Sequence, residues 1–315
     1  SRRPGPLIGN SRAMQEVLDL IEAVAPTDAT VLIQGESGTG KEMVAQALHE
    51  SSACCGREMV TVDGGTLQET LFESEIFGHE RGAFTNAERQ KKGLIEEAEG
   101  STLFLDEIGE TSPAIQAKLL RVLETNTFRR LGGTKILKAN VRFVVASNRD
   151  LAEMSQAGSF RSDLYFRLAS FVIHVPPLRE RREDIPLLAE HFLQRFARGI
   201  ERKLTPDALQ LLMVYDWPGN VRELRNLIER AVILAGRDGR IRAEHFGPLV
   251  ARRPDSVSLA FDHEPSLAEI EKDYLRRTLL QYGGNRAKAA LVLGISERNI
   301  YRLIRQYELD DRSEH

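Results

Sequence analysis

The sequence predicts an α/β fold in which a parallel sheet carries helices on both faces, followed by two smaller helical units. Between residue 8 and about residue 176, short apolar runs alternate with helical stretches; the runs are residues 31–33, 59–62, 103–105, 141–146 and 171–175. Buried strands that alternate with helices are typical of a parallel sheet. After residue 182 helical periodicity replaces the strands. These observations predict one α/β domain with helices appended to it.

The appended helices form two separate units. Between residues 182 and 236 the strands stop, and residues recur at helical spacing; they are Ile185, Leu188, His191, Phe192, Leu224, Leu227 and Ile228. The next stretch has no consistent period and contains two prolines, which indicates a linker. We therefore place the α/β subdomain at residues 6–176, a helical lid at 177–247, the linker at 248–265 and a small all-α domain at 266–310.

Composition excludes several classes of protein. The chain has 315 residues, enough for two or three domains. Of these residues 42% are hydrophobic and 28% are charged, as in an ordinary globular protein. A net charge of −3 provides no global basic field, so any nucleic-acid contact must come from a local patch. The sequence has neither the roughly 20-residue apolar run of a membrane helix nor a signal peptide at its first residues. The only cysteines, Cys54 and Cys55, are adjacent and suit a reducing cytosol. We expect a cytoplasmic protein with no membrane partner.

Residues 35–42, GESGTGKE, predict a site for nucleotide phosphates. An apolar strand precedes them and a helix-like stretch follows, which is the context of a P-loop. Glycines let successive backbone N–H groups point at phosphate oxygens, Lys41 adds a charge and the helix N-terminus adds its dipole. Glu42 stands where a P-loop normally has Ser or Thr to ligate Mg²⁺. The predicted nucleotide-binding residues of this loop are Gly35, Glu36, Ser37, Gly38, Thr39, Gly40, Lys41 and Glu42.

Two acids follow another buried strand. In STLFLDEIGE, Asp106 and Glu107 end an apolar run, where open α/β sheets place their ligands. This is the pattern of a Walker B motif. Asp106 would hold Mg²⁺, directly or through water, and Glu107 would orient and deprotonate the attacking water. A solvated helix start also explains such a pair, but the upstream P-loop favours catalysis, with ATP and Mg²⁺ as ligands.

Four further polar residues are candidates for acting on the nucleotide. Asn148 follows a buried strand and could bridge Glu107 or water to the γ-phosphate, although an asparagine in a turn is the simpler interpretation. FRSDLYFRL places Arg161 and Arg167 on one helical segment, and WPGNVREL supplies Arg222. Surface ion pairing is the default role of an isolated arginine.

These motifs together resemble the central domain of bacterial enhancer-binding proteins, the AAA+ ATPases that activate sigma-54 RNA polymerase. The resemblance covers about residues 6–247, in order, and rests on GESGTGKE, FGHERGAFTNA, TLFLDEIGE, FRSDLYFRL, VPPLRERREDI and WPGNVREL. It implies an AAA+ P-loop NTPase fold in which Asn148 is sensor I and Arg222 is sensor II, both reading the bound nucleotide. It also implies that Arg161 and Arg167 are arginine fingers for a neighbour's site, so that hydrolysis depends on a ring, usually a hexamer. Glu42 is then ordinary, since the family pattern has glutamate after the lysine.

The loop that the resemblance assigns to sigma-54 departs from the family pattern at one residue. The family has GAFTGA, whereas this chain has Gly82, Ala83, Phe84, Thr85, Asn86 and Ala87. The contacting pair, Phe84 and Thr85, is present. Asn86 costs little if the loop needs only positive φ, and it obstructs if the backbone must approach the partner closely. Without the resemblance, Phe84 would be interpreted as a loop anchor tucked into the core.

A second departure lies in VTVDGG. In the family an asparagine at this position holds the Walker B glutamate inactive until the partner is contacted, and here the residue is Asp63. Neighbouring carboxylates repel or share a proton, which raises one pKa. Our hypothesis is that Asp63, as a switch residue, weakens the restraint on Glu107 and alters the coupling between ATP turnover and partner engagement. The alternative is that Asp63 caps a turn before Gly64 and Gly65 and does not meet Glu107.

The C-terminal stretch predicts three short helices. Gly283 and Gly284 end the first, Asn285 caps the second, a tight turn at Gly294 follows, and Ser296 caps the third. Residues at helical spacing in the first helix are Leu267, Ile270, Tyr274 and Leu279; those expected to be buried are Ala287, Ala290 and Leu291 in the second and Ile300, Leu303, Ile304 and Tyr307 in the third.

The third helix has a basic outer face, with three arginines against one glutamate between residues 296 and 307. The segment GGNRAKAALVLGISERNIYRLI resembles a Fis-type helix-turn-helix. Arg298 and Asn299 lie near the helix start, where side chains reach base edges. The candidate DNA-binding residues are Arg286, Lys288, Arg298, Asn299, Arg302 and Arg305. Such domains read DNA as dimers, so we expect near-palindromic sites. The alternative is a three-helix bundle whose basic face is only solvated.

We therefore predict a bacterial transcription activator that binds upstream DNA, assembles from dimers into a hexameric ring and uses ATP to remodel sigma-54 polymerase. The alternative is a regulator or repressor of the same fold that no longer engages sigma-54, for which Asn86 and Asp63 are the reasons. An AAA+ remodeller of other proteins is disfavoured by the helix-turn-helix. The sequence leaves open whether a sensory or phosphoacceptor domain precedes residue 1.

Overall fold

The computed structural model describes residues 7–65, 69–84, 87–197, 199, 201–236, 238–247, 266–282, 285–307 and 309, without the side chains of Gln281 and Val292. The chain divides into two compact units, residues 1–246 and 247–315, and each is described by itself. The predicted linker, residues 248–265, lies outside the described residues. The four predicted domain ranges stay predictions.

The first unit is built on a five-stranded parallel sheet, as predicted. Its strands are β1 (Val31–Gln34), β2 (Val60–Asp63), β3 (Thr102–Asp106), β6 (Arg142–Ser147) and β7 (Phe171–His174). Their order across the sheet is β2-β3-β6-β1-β7, and all four pairings are parallel. Each strand coincides within about one or two residues with an apolar run in the sequence. Strand order therefore places the end of β1 between β6 and the edge strand β7.

The register aligns the carboxyl ends of these strands. Asp63 at the end of β2 is the partner of Asp106 at the end of β3, and Gln34 at the end of β1 is the partner of both Ser147 and His174. The loops that leave β1, β2, β3 and β6 consequently start at one edge of the sheet, where ligands bind in this class of fold.

Helices cover both faces of the sheet, and β1 is therefore buried on both sides. Val31 and Ile33 pack into one core cluster, and Leu32 packs into the other. The helices of this part are α1 (Arg12–Val24), α2 (Lys41–Glu50), α3 (Glu69–Phe77), α4 (Leu94–Glu97), α5 (Pro113–Thr125), α6 (Leu151–Gln156) and α7 (Ser162–Leu168). Alternate residues of a strand face opposite sides, so an uninterrupted apolar run requires a helical layer on each side.

The lid contains α8 (Ile185–Phe196), α9 (Pro206–Val214) and α10 (Asn220–Leu234). Two-residue strands β8 (Lys203–Leu204) and β9 (Arg240–Ile241) pair with each other. The prediction that strands stop between residues 182 and 236 was therefore wrong at β8. His191, part of the predicted helical periodicity, lies on the exposed side of α8. The short hairpin of β4 (Thr127–Phe128) and β5 (Leu137–Lys138) also escaped the sequence analysis. Strands of two residues carry too little pattern to be recognised.

A buried carboxylate fastens the lid to the N-terminal segment. Asp184, fully buried, accepts hydrogen bonds from the backbone N–H groups of Asn10 (2.6 Å) and Ser11 (2.8 Å) and from Ser11 Oγ (2.6 Å). Asp184→Ala would leave these donors without their acceptor. We expect it to lower the free energy of unfolding of the first unit by about 2–4 kcal/mol in urea titrations. Asp19→Ala, at an exposed position of α1, is the control, and equal losses in the two variants would contradict this role.

The second unit is a three-helix bundle of α11 (Leu267–Gln281), α12 (Arg286–Leu293) and α13 (Glu297–Gln306). Asn285 and Ser296 cap α12 and α13 with their side chains, and Gly294 makes the tight turn with φ of 66°. Gly283 and Gly284 lie outside the described residues. The core residues of the bundle are Leu275, Ala289, Ala290, Ile300, Leu303 and Ile304.

The predicted buried stripe of α12 was wrong in two of its three members. Ala287 is exposed and Leu291 is 81% exposed, whereas Ala289 and Ala290 are buried. In α11, Leu267 is 85% exposed, and Leu275 and Thr278 supply the buried face. A helix of eight residues spans barely two turns, so its period leaves the inward direction ambiguous by one residue. Across the described ranges, the helices are too short or too polar to cross a membrane.

Candidate nucleotide site and nucleic-acid interface

The loop of residues 35–42 connects β1 to the first turn of α2, at the edge where the strands end. Gly40 adopts φ of 105° and Gly38 adopts φ of 77°, a region that favours glycine. A Cβ at Gly38 would lie 2.5 Å from the Gly219 carbonyl oxygen, so this position also requires close approach to the lid. The N–H groups in the first turn of α2 have no acceptor within the helix and point to the loop. This backbone fits a bound phosphate chain.

Lys41 supplies the positive charge of the loop. Its side chain is buried, and Nζ donates to the carbonyl oxygens of Gly35 (2.9 Å) and Glu36 (3.2 Å). Burial lowers the pKa of Lys41, while the nearby carboxylates of Glu107 and Asp106 oppose that shift. The charges of Lys41, Asp106 and Glu107 therefore lie close enough to interact, although Lys41 is distant in sequence from the two acids.

Glu107 has both an unusual backbone and a shifted acidity. It follows β3 with φ of 53°, which is uncommon for a residue other than glycine. Burial is the largest cause that raises the pKa of Glu107; Lys41 lowers it and Asp106 raises it. Asp106 Oδ1 accepts a hydrogen bond from the Glu107 N–H at 2.9 Å. A raised pKa and a constrained backbone are the properties of a general base held in position.

Asp63 caps the turn after β2, and its charge also acts on Glu107. Its Oδ1 accepts a hydrogen bond from the Gly65 N–H at 2.8 Å, so it caps the turn after β2. Its charge also raises the pKa of Glu107, but by less than burial, Lys41, Asp106 and the Asn148 backbone each shift it. The cap therefore does not remove Asp63 from the neighbourhood of the Walker B glutamate.

Asn148 contacts Glu107 at the same edge of the sheet through its backbone. Its backbone N–H donates to the Glu107 carboxylate and lowers the pKa of that group, against the larger effect of burial. Its side chain is exposed directly after β6. Sequence reasoning identified the residue but not this backbone contact, which only the strand register creates.

The predicted arginines fall into two groups. Arg222 reaches the loop, where Nη1 donates to Ser37 Oγ at 2.9 Å. Arg161 is instead the N-cap residue of α7, and Arg167 lies in the last turn of that helix. The Arg161 guanidinium pairs with Asp163 at 2.7 Å, and Arg167 donates to the Leu123 carbonyl oxygen at 2.8 and 3.1 Å. Among the described residues, neither is hydrogen-bonded to the loop of its own chain.

Several residues that hold the loop were missed by the sequence analysis. Arg181 is buried, and its Nη2 donates to the Thr39 carbonyl oxygen at 2.6 Å; burial lowers its pKa to about 10. Arg179 and Asn220 bind Glu36, whose carboxylate therefore faces the lid. Arg179 and Arg181 belong to VPPLRERREDI and Asn220 to WPGNVREL, so the motifs contained the signal but did not indicate the pairing.

Hydrogen bonds and a ring contact hold the described residues around the GAFTNA sequence. Thr85 and Asn86 lie outside the described residues. The Gly82 N–H donates to the Ala87 carbonyl oxygen at 2.8 Å, and the Phe84 ring, half-buried, packs edge-on against His79 with centroids 5.0 Å apart. A hydrogen bond between the Glu80 N–H and the Leu131 carbonyl oxygen (3.0 Å) ties the base to the segment between β4 and β5.

The outer face of α13 is basic, as predicted. Ile300, Leu303 and Ile304 are buried on its inner side. Arg298, Arg302 and Arg305 are exposed on the other side, and Asn299 is partly exposed. Sequence reasoning missed Tyr301, which is 49% exposed on this face and stacks under the Arg286 guanidinium at 5.1 Å. Lys288 lies over the Tyr282 ring at 5.3 Å.

Models of known protein families match the chain in three consecutive segments. The Sigma-54 interaction domain matches residues 7–174, the AAA+ ATPase lid domain matches 179–259, and the Bacterial regulatory protein, Fis family, matches 266–307. The matches follow the order of the α/β part, the lid and the helix-turn-helix.

Individual proteins agree with these matches. The transcriptional regulatory protein ZraR of Escherichia coli (strain K12) is 49% identical over 298 residues, which are 93% of this chain and 67% of ZraR. The nitrogen fixation protein AnfA of Azotobacter vinelandii is 46% identical over 99% of this chain and 59% of its own length. The chain thus spans about two thirds of ZraR and less of AnfA.

Solved structures show the same architecture. NtrX from Brucella abortus, in complex with ATP, superposes with a TM-score of 0.74 and 36% identity over 96% of this chain and 70% of its own. RuvB of Thermotoga maritima shares only the fold, at 15% identity and a TM-score of 0.54. The chain therefore belongs to the family of sigma-54-dependent transcriptional activators, which join an AAA+ sigma-54 interaction domain and its lid to a DNA-binding helix-turn-helix of the Fis family.

Proposed function

We propose that this chain binds ATP and Mg²⁺, assembles into a homo-oligomeric ring and uses hydrolysis to remodel sigma-54 RNA polymerase for open-complex formation. The observation that carries the proposal is the meeting of Lys41, Asp106 and Glu107 at the edge where β1 and β3 end, each shifting the acidity of another. A carboxylate of raised pKa beside the lysine is typical of a catalytic site, and a P-loop with a purely structural role does not require one.

The residues divide the reaction between them. Lys41 and the N–H groups of residues 35–42 hold the phosphates, and Asp106 would hold Mg²⁺, directly or through water, which would neutralise charge on them. Glu107 takes a proton from water as the water oxygen bonds to the γ-phosphorus. The bond from that phosphorus to the β–γ bridging oxygen breaks, and ADP leaves. Positioning and charge neutralisation supply most of the acceleration.

Two further pairs of residues couple the reaction to structure. Arg222 and Asn148 read the nucleotide from the lid and from β6. Arg161, at the start of α7, and Arg167, in its last turn, act on the site of a neighbouring protomer in a hexameric ring. Their location supports action in trans, because among the described residues neither guanidinium is hydrogen-bonded to the loop of its own chain.

Asp63 is proposed to set the activity of Glu107. Since the Asp63 carboxylate raises the pKa of Glu107, Asp63→Asn should lower that pKa, and the acid limb of the hydrolysis rate against pH should move to lower pH. The response of the ATPase to sigma-54 should change as well. An unchanged pH profile together with an unchanged response to sigma-54 would reduce Asp63 to its role as a turn cap.

DNA recognition is proposed for the outer face of α13, on near-palindromic sites bound by dimers. Arg302→Ala should weaken specific DNA binding by about 1–3 kcal/mol in a mobility-shift titration, because an arginine on this face contacts base or phosphate. Arg276→Ala removes the same charge from α11, where the side chain is 59% exposed and pairs with Asp273; it should change affinity less than about twofold. Equal losses in both variants would argue for a non-specific basic surface.

The test of the whole proposal is promoter opening by sigma-54 polymerase on a supercoiled template carrying the binding site. We expect opening with ATP and none with a non-hydrolysable analogue or with Lys41→Ala. Intact DNA binding without opening would favour the regulator that no longer engages sigma-54, for which the charge of Asp63 beside Glu107 is the structural reason.

A further inference from the structure

The phosphate loop is bound to the lid by contacts that do not involve the side chains of Lys41, Asp106 or Glu107. The Glu36 carboxylate forms a bidentate ion pair with Arg179, with Oε1 accepting from Nη2 at 2.6 Å and Oε2 from Nη1 at 2.9 Å. The Asn220 amide donates to the same Oε2 at 3.1 Å. The hydrogen bond from Arg179, followed by that from Asn220, lowers the pKa of Glu36 to about 2. The carboxylate is therefore ionised at neutral pH and keeps both partners.

Asn220 is the centre of this arrangement. It is fully buried at the start of α10, with φ of 52°, a conformation that asparagine tolerates better than most residues. Its Oδ1 accepts a hydrogen bond from the Leu178 N–H at 2.8 Å, and its Nδ2 also donates to the Ser37 carbonyl oxygen at 3.0 Å. One amide thus joins the loop to the lid helix and to the segment that enters the lid.

Gly38, the next residue of the loop, is also hydrogen-bonded to the lid. The Gly38 carbonyl oxygen accepts from the backbone N–H groups of Val221 (3.0 Å) and Arg222 (3.3 Å). Three consecutive loop residues, 36 to 38, are therefore hydrogen-bonded to the first turn of α10. A displacement of this part of the loop must move the start of α10 or break several hydrogen bonds at once.

We propose that Glu36 and Asn220 are positioning residues that make the lid follow the phosphate loop when ATP binds. The inference rests on the proposed ATP site. Lys41 donates to the carbonyl oxygens of Gly35 and Glu36, and a phosphate that attracts its ammonium group takes this donor away from both. The loop backbone then shifts at residues 35–36, and Asn220 passes the shift to the lid. This route is separate from contact of Arg222 with the nucleotide.

The chain contains a reporter for this movement. Trp217 is its single tryptophan, fully buried in the lid turn, with Nε1 donating to the Leu212 carbonyl oxygen at 2.9 Å. Its carbonyl oxygen accepts from the Asn220 N–H at 2.8 Å. A change in the packing of this turn will change the emission of one identified side chain.

The experiment titrates the full chain with a non-hydrolysable ATP analogue and Mg²⁺, following tryptophan emission, with binding measured separately by equilibrium dialysis. Asn220→Asp keeps the oxygen that accepts from Leu178 but turns a second oxygen toward the Glu36 carboxylate. Asn226→Asp, at an exposed position of α10, makes the same chemical change without touching the loop. Glu36→Gln, at a side chain 43% exposed, removes the charge and provides a second variant should Asn220→Asp fail to fold.

We expect the unaltered chain and Asn226→Asp to give the same emission change on binding. Asn220→Asp and Glu36→Gln should lose most of that change, and the analogue should bind about tenfold more weakly. KM for ATP should rise in proportion, while kcat at saturating ATP stays within about threefold. A variant that is merely misfolded would instead lose kcat and leave KM unchanged.

Two outcomes would overturn the inference, and they differ in what else they affect. If the unaltered chain binds the analogue without an emission change, or if both loop variants behave like Asn226→Asp, the lid does not follow the loop through Glu36 and Asn220, and the proposed ATPase is unaffected. If the unaltered chain fails to bind the analogue in dialysis, the ATP site itself is wrong and the inference fails with it.

Discussion

Glu107→Gln is expected to lower kcat for ATP hydrolysis by about 10²–10⁴-fold while ATP binding is kept. Glutamine has nearly the same shape and suits the same backbone position, but its amide cannot accept the proton of the attacking water. Phosphate release measures kcat, and equilibrium dialysis measures binding. The control is Glu110→Gln, since Glu110 is an acid on the same loop that pairs with Arg149 at 2.6 Å; it should hydrolyse ATP at a nearly normal rate. Hydrolysis by Glu107→Gln at the rate of this control would exclude Glu107 as the base.

If Glu107 is the base, the rate of ATP hydrolysis should depend on pH through the pKa of this residue. Burial raises the pKa of Glu107, and only the ionised carboxylate can act as the base. Hydrolysis should therefore be lost as the pH falls through this raised pKa, at a higher pH than for an ordinary glutamate. A rate that persists down to the ordinary range of glutamate would contradict the assignment.

Replacing Arg161 and Arg167 is expected to lower kcat for ATP hydrolysis as much as Glu107→Gln does, or more. Replacing Arg161 and Arg167 together by alanine should lower kcat by about 10³–10⁵-fold, the contribution of an arginine finger to phosphoryl transfer. ATP binding should be almost unchanged, because in the described structure neither guanidinium is bonded to the loop of its own chain. Arg12→Ala, at an exposed position of α1, is a control for the lost charge.

Mixing two inactive variants separates action in trans from action in cis. The double arginine variant keeps its ATP site, and Lys41→Ala keeps its arginines. In a mixed ring, Lys41→Ala protomers can supply arginines to intact ATP sites of their neighbours, so mixing should restore part of the ATPase activity. If the mixture stays as inactive as its components while the proteins still co-assemble, the arginines do not act across the interface.

The parallel sheet could be predicted because its strands are buried on both faces. Continuous apolar runs such as residues 103–105 and 141–146 identify such strands without any tertiary information. The register then brings Asp63, Asp106 and Asn148 to one edge, which follows from parallel pairing and was implicit in the sequence. The glycine-rich loop was recognisable for a similar reason, since phosphate binding restricts a short contiguous segment.

The remaining features depend on contacts between distant segments. Glu36 was grouped with the phosphate-binding residues, and only the fold shows that its carboxylate binds Arg179 and Asn220 in the lid. The contact of Asn148 with Glu107 uses a backbone N–H, which every residue except proline has, so the residue type did not indicate this contact. The misjudged face of α12, where Leu291 is exposed, reflects a helix too short for its periodicity to define a direction.

The most direct test of the central claim is complex formation between the purified chain and sigma-54 in the presence of ADP and aluminium fluoride, which mimics the transition state of hydrolysis. The unaltered chain and Asn86→Gly should be compared by native gel electrophoresis or size-exclusion chromatography. We predict a stable complex with the unaltered chain, which would show that the GAFTNA loop engages sigma-54. A complex that forms only with Asn86→Gly would contradict the activator function and identify a regulator that has lost this partner.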